Sequence, residues 1–253
     1  MTTRPDPSAA PAPLDRCSFP AAGTPLACAV SGGADSLAML VLATAAGCDV
    51  TAHHVDHGLR PESAEEASVV AAAADRFGAR FEAHRVEVGA GPNLEARARA
   101  ARRALLPAGV ATGHTADDQA ETILLNLLRG AGLDGLAGMR PGPAKPILGL
   151  RRAETRALCR QLGLEPVQDP SNDDPAYRRN RIRHEVLPLL EEVAGRDVVA
   201  VLVRQAALLR DEADHLDGLA AGADPADGRA LAALPPAVAR RVVRRLLSGD
   251  HPP

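Results

Sequence analysis

The sequence predicts an α/β protein: an open, mostly parallel sheet with helices on both faces, followed by a small helical domain. Three observations predict it. From residue 25 onward, short apolar runs alternate with amphipathic stretches, the order that parallel strands joined by helical crossovers produce. Polar clusters at 31–36, 54–60 and 113–121 directly follow predicted strands, and ligands in such sheets sit at the carboxyl ends of the strands. Beyond residue 197 the pattern is helical only.

Taken in order, residues 26–30 read as a buried strand and 36–46 as a helix leaving a glycine turn. A second strand, 48–55, runs into His53-His-Val-Asp-His-Gly-Leu-Arg60. Pro61 then opens a helix to about Phe77, with Glu62, Glu65 and Glu66 in its first turns, where the helix dipole favours acids. Residues 79–88 form a third strand, and Asn93 caps a helix through Leu106 in which Glu95 and Arg99 make an i,i+4 pair. Residues 110–113 are a short fourth strand. Thr115 starts the next helix, whose apolar stripe is Ile123, Leu124, Leu127 and Leu128.

An irregular glycine- and proline-rich stretch follows, then an extended segment at 146–150 and a helix at 151–162 ended by Gly163. Turn chemistry at 170–175 leads through Tyr177-Arg-Arg-Asn-Arg-Ile-Arg183 into a helix. The stripe Val198, Leu202, Leu209, Leu216 and Leu219 marks a long helix, and 235–247 a last one. The expected division is a disordered Pro- and Ala-rich tail at 1–22, an α/β domain at 23–190 and a helical region at 191–253.

Composition narrows the function classes. Hydrophobic residues make up 46% of the chain but aromatic ones only 2%, with no Trp, so the core is built from Ala, Leu and Val. Lys145 is the only lysine, a bias that fits coding preference better than function. A net charge of −3 gives no global case for nucleic acid, so such a case rests on a local patch. Residues 140–185 supply one, with ten basic residues against six acidic, and Tyr177, the only tyrosine, either stacks on a base or packs. The four cysteines make no CxxC pair and read as free thiols in a reducing compartment. The longest apolar run, 37–48, is too short to cross a bilayer, and no signal peptide stands at the start, so a cytoplasmic location and no membrane partner are expected.

Two clusters carry chemistry. In Ser31-Gly-Gly-Ala-Asp-Ser36, small residues let backbone N–H groups turn inward, and a helix starting near Ser36 points its positive end into the same hollow. Asp35 belongs in such an anion cradle if a divalent cation bridges it to phosphate. The same residues also fit a plain glycine turn with Asp35 or Ser36 as N-cap. No Gly-Lys-Ser/Thr follows, which argues against a loop gripping a γ-phosphate. In Gly113-His-Thr-Ala-Asp-Asp-Gln-Ala-Glu121, Thr115 and Asp118 fit a capping box, yet Asp117, Asp118 and Glu121 together form an acidic face that calls for a cation, an amine or a proton. His53 and His54 point to opposite sides of a strand, so at most one joins His57 on a metal, which disfavours zinc.

Ser31-Gly-Gly-Ala-Asp-Ser36 resembles the pyrophosphate-loop signature of enzymes that split ATP between its α and β phosphates. His54-Val-Asp-His-Gly-Leu-Arg60, Asn93-Leu-Glu-Ala-Arg97, residues 113–122, Arg129-Gly-Ala-Gly, Gly135-Leu-Ala-Gly-Met139, Asp169-Pro-Ser-Asn172 and Arg179-Asn-Arg-Ile-Arg183 narrow the likeness. Together they resemble tRNA(Ile)-lysidine synthetases over about residues 25–190. The resemblance implies an adenine-nucleotide α-hydrolase-like fold, ATP and Mg²⁺ as cofactors, and L-lysine and tRNA(Ile) with a CAU anticodon as partners. It implies adenylation of the wobble cytidine followed by displacement of AMP by the lysine amine.

The resemblance assigns ATP binding to Ser31, Gly32, Gly33, Ala34, Asp35, Ser36, His54 and Arg60. Metal falls to Asp35 and Asp117, lysine to Asp118 and Glu121, and catalysis to Asp35, Asp117, Asp118 and Glu121. Arg151, Arg152, Arg178, Arg179, Arg181 and Arg183 are implied to meet tRNA. Two alternatives stay open: a tRNA-binding relative without turnover, favoured by the chain's stop soon after Leu247, and an ATP-dependent tRNA thiolase, disfavoured by the missing CxxC.

Overall fold

Of the 253 residues, the computed structural model describes 13–56, 63–85 and 105–248. Among the described residues four strands, β1 (Pro25–Ala29), β2 (Asp49–Asp56), β3 (Arg80–Arg85) and β4 (Ala111–Thr112), form one sheet in the order β3-β2-β1-β4, with every pairing parallel. Helices α1 (Ala34–Ala45) and α2 (Ser63–Phe77) join the first three strands, pack on one another and both touch β2, so they share a face. The chain steps outward from β1 to β3 and then returns to place β4 on the other side of β1. The loops after β1 and β4 therefore flank the point where strand order reverses, the binding crevice of open α/β sheets. The helix expected from Asn93 falls almost wholly outside the described residues, and so do His57, Arg60, Pro61 and Glu62.

Why α1 sits where it does follows from its composition. Leu37, Ala38, Met39, Leu40, Leu42 and Ala43 are all fully buried, and a helix apolar all round must be covered all round. The sheet, α2 and helix α5 (Arg152–Gln161) supply that cover, α5 through Leu158 and Cys159. Residues 146–150, expected to be extended, instead fold as successive turns in which Leu148 N–H donates to Lys145 O at 3.2 Å and Leu150 N–H to Ile147 O at 3.0 Å. Turns put Ile147 and Leu150 on the same side, where both reach the core; alternation along a strand would have separated Ile147 from Leu150.

Residues 13–22, expected to belong to a disordered tail at 1–22, are ordered. A 3₁₀ turn, Leu14–Arg16, places Leu14, Cys17 and Phe19 against the core, and Ser18 N–H donates to Pro146 O at 2.8 Å. Arg16 also pairs with Glu154 on α5. These few apolar contacts outweigh the disorder that the Pro- and Ala-rich composition favours.

The chain divides into two compact units, and the division differs from a boundary at 190: residues 1–119 with 140–181, and residues 120–139 with 182–253. The line falls inside α3 (Ala116–Leu128). A short helix, α6 (Arg178–Arg181), closes the first unit; in the second, helix α8 (Val198–Ala221) is the element on which α4 (Leu133–Leu136), α7 (Leu187–Ala194) and α10 (Pro236–Ser248) pack, and α9 (Gly228–Ala233) packs on α10. Asp197 caps α8 by accepting from Ala200 N–H at 3.1 Å. The predicted stripe borders its most buried face. Val199, Ala206, Ala213 and Ala220 are buried, Val198, Leu202, Leu209 and Leu216 are partly buried, and Leu219 is half exposed. Small residues every seven positions let neighbouring helices approach closely, and the larger leucines are displaced to the flanks. Likewise on α3, Ile123 and Leu124 are buried but Leu127 and Leu128 are exposed. Arg241 joins α10 to its neighbours, with Nη2 2.6 Å from Asp134 Oδ1 and Nη1 2.5 Å from Asp217 Oδ1.

Phe19→Ala should lower stability by about 1–2 kcal/mol, in keeping with a partly buried ring. Urea unfolding checks this, and an unchanged midpoint would restore the disordered tail.

Candidate active site

The loop after β1 is shaped by two close approaches. Gly32 has φ +89°, and a Cβ there would meet Val167 Cγ2 at 3.0 Å; Val167 N–H also donates to Gly32 O at 3.0 Å. Helix α1 starts at Ala34, two residues earlier than expected, with Gly33 at the N-cap and no side chain capping it. Ser36 lies inside the first turn, where its hydroxyl donates to Gly33 O at 2.9 Å and accepts from Ser31 N–H at 3.2 Å. Neither Asp35 nor Ser36 is the N-cap. The first-turn N–H groups and the positive end of α1 keep an environment that favours an anion.

The loop after β4 touches this turn. A Cβ on Gly113 would lie 2.9 Å from the carbonyl carbon and oxygen of Asp35 and from Ser36 N, so only glycine lets the two loops come this close. Just beyond, the capping box forms as predicted: Asp118 Oδ2 accepts from Thr115 N–H and from the Thr115 hydroxyl, both at 2.8 Å. It does not exhaust Asp118. Its Oδ1 also accepts from Arg152 Nη2 and Arg179 Nη2, each at 3.0 Å.

Arg152 ties the two loops together, because its Nε also lies 3.5 Å from Asp35 Oδ2, while Thr155 Oγ1 donates to Asp35 Oδ1. Burial pushes the Asp35 carboxyl above its ordinary value against the pull of Thr155 and Arg152, and the nearby Asp118 charge adds to the rise. Burial acts on Asp118 in the same sense, but Arg152, Arg179 and the Thr115 hydrogen bonds outweigh it and hold that carboxyl below its ordinary value. Asp117 faces elsewhere. It accepts from Arg152 N–H at 2.7 Å, at the start of α5, and from Arg151 Nε at 3.2 Å.

His54 is 2% exposed, with Nδ1 2.9 Å from Val30 O, one residue before the loop. A carbonyl can only accept, so Nδ1 carries the proton and the buried Nε2 offers a lone pair that has no partner among the described residues. Glu121, fully buried in the second unit, accepts from Arg183 Nε at 2.7 Å and from Arg183 Nη2 at 3.3 Å.

The structure thus brings Ser31, Gly32, Gly33, Ala34, Asp35, Ser36, Asp117 and Asp118 together in one unit and sets Arg151, Arg152 and Arg179 on their carboxylates. Of the arginines expected to meet tRNA, Arg178 and Arg181 are exposed, beside Tyr177, which is 40% exposed. Sequence reasoning missed Thr155, which is 1% exposed, and a cluster in which Lys145 Nζ donates to Thr112 Oγ1 at 2.9 Å and lies 3.3 Å from His114 Nδ1. A lone threonine in an amphipathic helix carries no sequence signal; the single lysine of an arginine-rich chain was the available clue to the other. Burial raises the Cys28 thiol to about 12 and the Cys159 thiol to about 11, so neither is poised as a thiolate.

Gly113→Ala should destabilise the protein by about 1–3 kcal/mol, because the added methyl meets backbone that cannot rotate away. Denaturant unfolding measures this, and a neutral result would mean that the two loops are not in contact.

Residues 14–190 match the PP-loop domain family. The chain is 46% identical to the tRNA(Ile)-lysidine synthase of Nocardia farcinica (strain IFM 10152), an alignment covering 90% of this chain and 77% of that one. It is 44% identical to the tRNA(Ile)-lysidine synthase of Leifsonia xyli subsp. xyli, covering 87% and 75%. It is 46% identical to that of Mycobacterium leprae, covering 87% and 74%. Among solved structures, the U34-tRNA thiolase NcsA from Methanococcus maripaludis shares the fold, with a TM-score of 0.58 at 19% identity over 75% of this chain and 73% of that one. The sheet, the glycine loop at its switch point and these relatives lead to one conclusion: the chain belongs to the tRNA(Ile)-lysidine synthase family, built on an ATP-utilising PP-loop domain.

Proposed function

We propose that this chain uses ATP to join L-lysine to the wobble cytidine of the CAU anticodon of tRNA(Ile), through an adenylated cytidine, giving lysidine. The observation that carries the reading is the contact of two loops at the switch point: the uncapped start of α1 with Asp35, and the Gly113 loop leading to Asp118, joined by Arg152. In this reading the first-turn N–H groups of α1, with the Ser31 and Ser36 hydroxyls, hold the pyrophosphate as it leaves. Charge develops on the bridging oxygen, and fixed donors aimed there lower the barrier without having to reorganise.

Mg²⁺ fits the donor set, since Asp35 is a partly buried carboxylate whose negative charge is disfavoured and which lies near a second acid. Asp35 would hold the ion, which when bound would neutralise phosphate charge. Asp118, which shares Arg152 with Asp35, is better placed beside it than Asp117, whose carboxylate serves the start of α5. Asp118 is held ionised, so it suits an ammonium partner such as the lysine side chain better than it suits acceptance of a proton. Glu121, three residues on, was expected to share this work, but its bidentate pairing with Arg183 favours a structural part. The exposed Tyr177, Arg178 and Arg181 form the surface for an RNA loop, by stacking and phosphate contact. The location proposed is the cytoplasm; among the described residues no helix is long and apolar enough to cross a membrane.

Purified protein with ATP, Mg²⁺, labelled lysine and tRNA(Ile) bearing CAU should incorporate label, and a GAU anticodon should not. No incorporation with either tRNA would overturn the reading.

Asp35→Asn separates chemistry from stability. A carboxyl whose folded-state pKa is raised costs stability above that pKa, and the cost fades as pH falls through it. The neutral amide should therefore raise the melting temperature at pH 7 while lowering tRNA adenylation at least about a hundredfold. Near-normal adenylation by this variant would remove Asp35 from the mechanism.

A further inference from the structure

A second cluster of ligating side chains stands away from the loop site, on the opposite side of β2 from His54. His53 on β2 is the register partner of Glu82 on β3, and His84 lies two residues further along β3, so backbone pairing alone sets all three on one face of the sheet. His53 Nδ1 is 3.0 Å from His84 Nε2 and 3.4 Å from Glu82 Oε2, and His84 Nε2 is 4.0 Å from the same oxygen. Metal–ligand bonds of about 2.0–2.2 Å in tetrahedral geometry set the ligand atoms about 3.4 Å apart. The three observed separations bracket that value.

We propose that His53, Glu82 and His84 form a zinc site that clips β3 to β2. Two imidazoles and one carboxylate are a zinc donor set that leaves a fourth position for water. The exposure gradient supplies it: the side chain of His53 is 7% exposed, His84 24% and Glu82 55%, so the open side faces solvent. Without metal, one imidazole N–H bridges to the other ring. On binding, that proton moves to the far nitrogen of its own ring through solvent, so both facing nitrogens coordinate and no net proton is released. The rings are already stacked, with centroids 5.3 Å apart and planes 19° from parallel, so little ordering remains to be done.

Sequence spacing hides this set, because its ligands come from neighbouring strands. In the sequence, the ligand partner nearest to His53 at a workable spacing is His57.

The test is a zinc titration of chelator-treated protein by calorimetry, with excess Mg²⁺ present, alongside Co²⁺ absorption spectra. One equivalent should bind, the Co²⁺ spectrum should lack a thiolate charge-transfer band, and His84→Gln and Glu82→Gln should each weaken binding at least tenfold with an unchanged circular dichroism spectrum. Asp35→Asn should bind zinc as the parent does, which separates this site from the ATP site. No binding, affinity unchanged in both variants, or a thiolate band would each overturn the proposal and leave a His–His hydrogen bond beside a surface glutamate. If the variants do not fold, the parent's stoichiometry and Co²⁺ spectrum decide between the same two outcomes.

Discussion

The site hangs on one guanidinium. Arg152 spans Asp35 at the start of α1 and Asp118 at the start of α3, while its own N–H is held by Asp117. Three carboxylates this close repel one another unless cations stand among them, and Arg151, Arg152 and Arg179 provide those cations. Arginine suits that role, because its flat, rigid fork presents donors to two acids in a fixed geometry. Removing Arg152 would leave Asp35 and Asp118 without the cation they share, and two like charges close together are destabilising. The arrangement also fits anionic substrates, since a phosphate entering the hollow would meet guanidinium groups already in position.

Below this network lies a plain scaffold. An apolar α1 enclosed by sheet and helices fixes the axis along which the loop's N–H groups point, and two glycines allow the approaches that build the hollow. With almost no aromatic residues to fill space, close contact is achieved by small side chains, and the alanine face of α8 in the second unit is the same solution. The fold is shared with a tRNA thiolase, but the cysteines here sit apart and are buried or half-buried with their protons held, so the likeness extends to the scaffold alone.

Much of this was legible in the sequence. The order of strands and helices is a local property of apolar periodicity, and the Ser31–Ser36 and Gly113–Glu121 clusters announce themselves by residue type and position after strands. What could not be read depends on partners distant in the chain. Arg151, Arg152, Arg179 and Arg183 looked like a basic surface because charge counting sees sign and not pairing; each meets an acid between residues 117 and 121. On α8 the deepest positions fall to alanines beside the predicted stripe, since hydrophobicity ranks leucine above alanine while close helix packing prefers the smaller residue. The turns at 146–150 and the anchored residues 14–19 answer to the core they cover, and no local preference encodes that.

The contact between Gly113 and the Asp35 backbone has a mechanical consequence. Two loops that touch through main chain, with no side chain between them to swing aside, behave as a single hinge-free piece. A push on either is delivered to the other as displacement, undamped by rotamer change. Precision of this kind comes from having nothing soft at the point of contact.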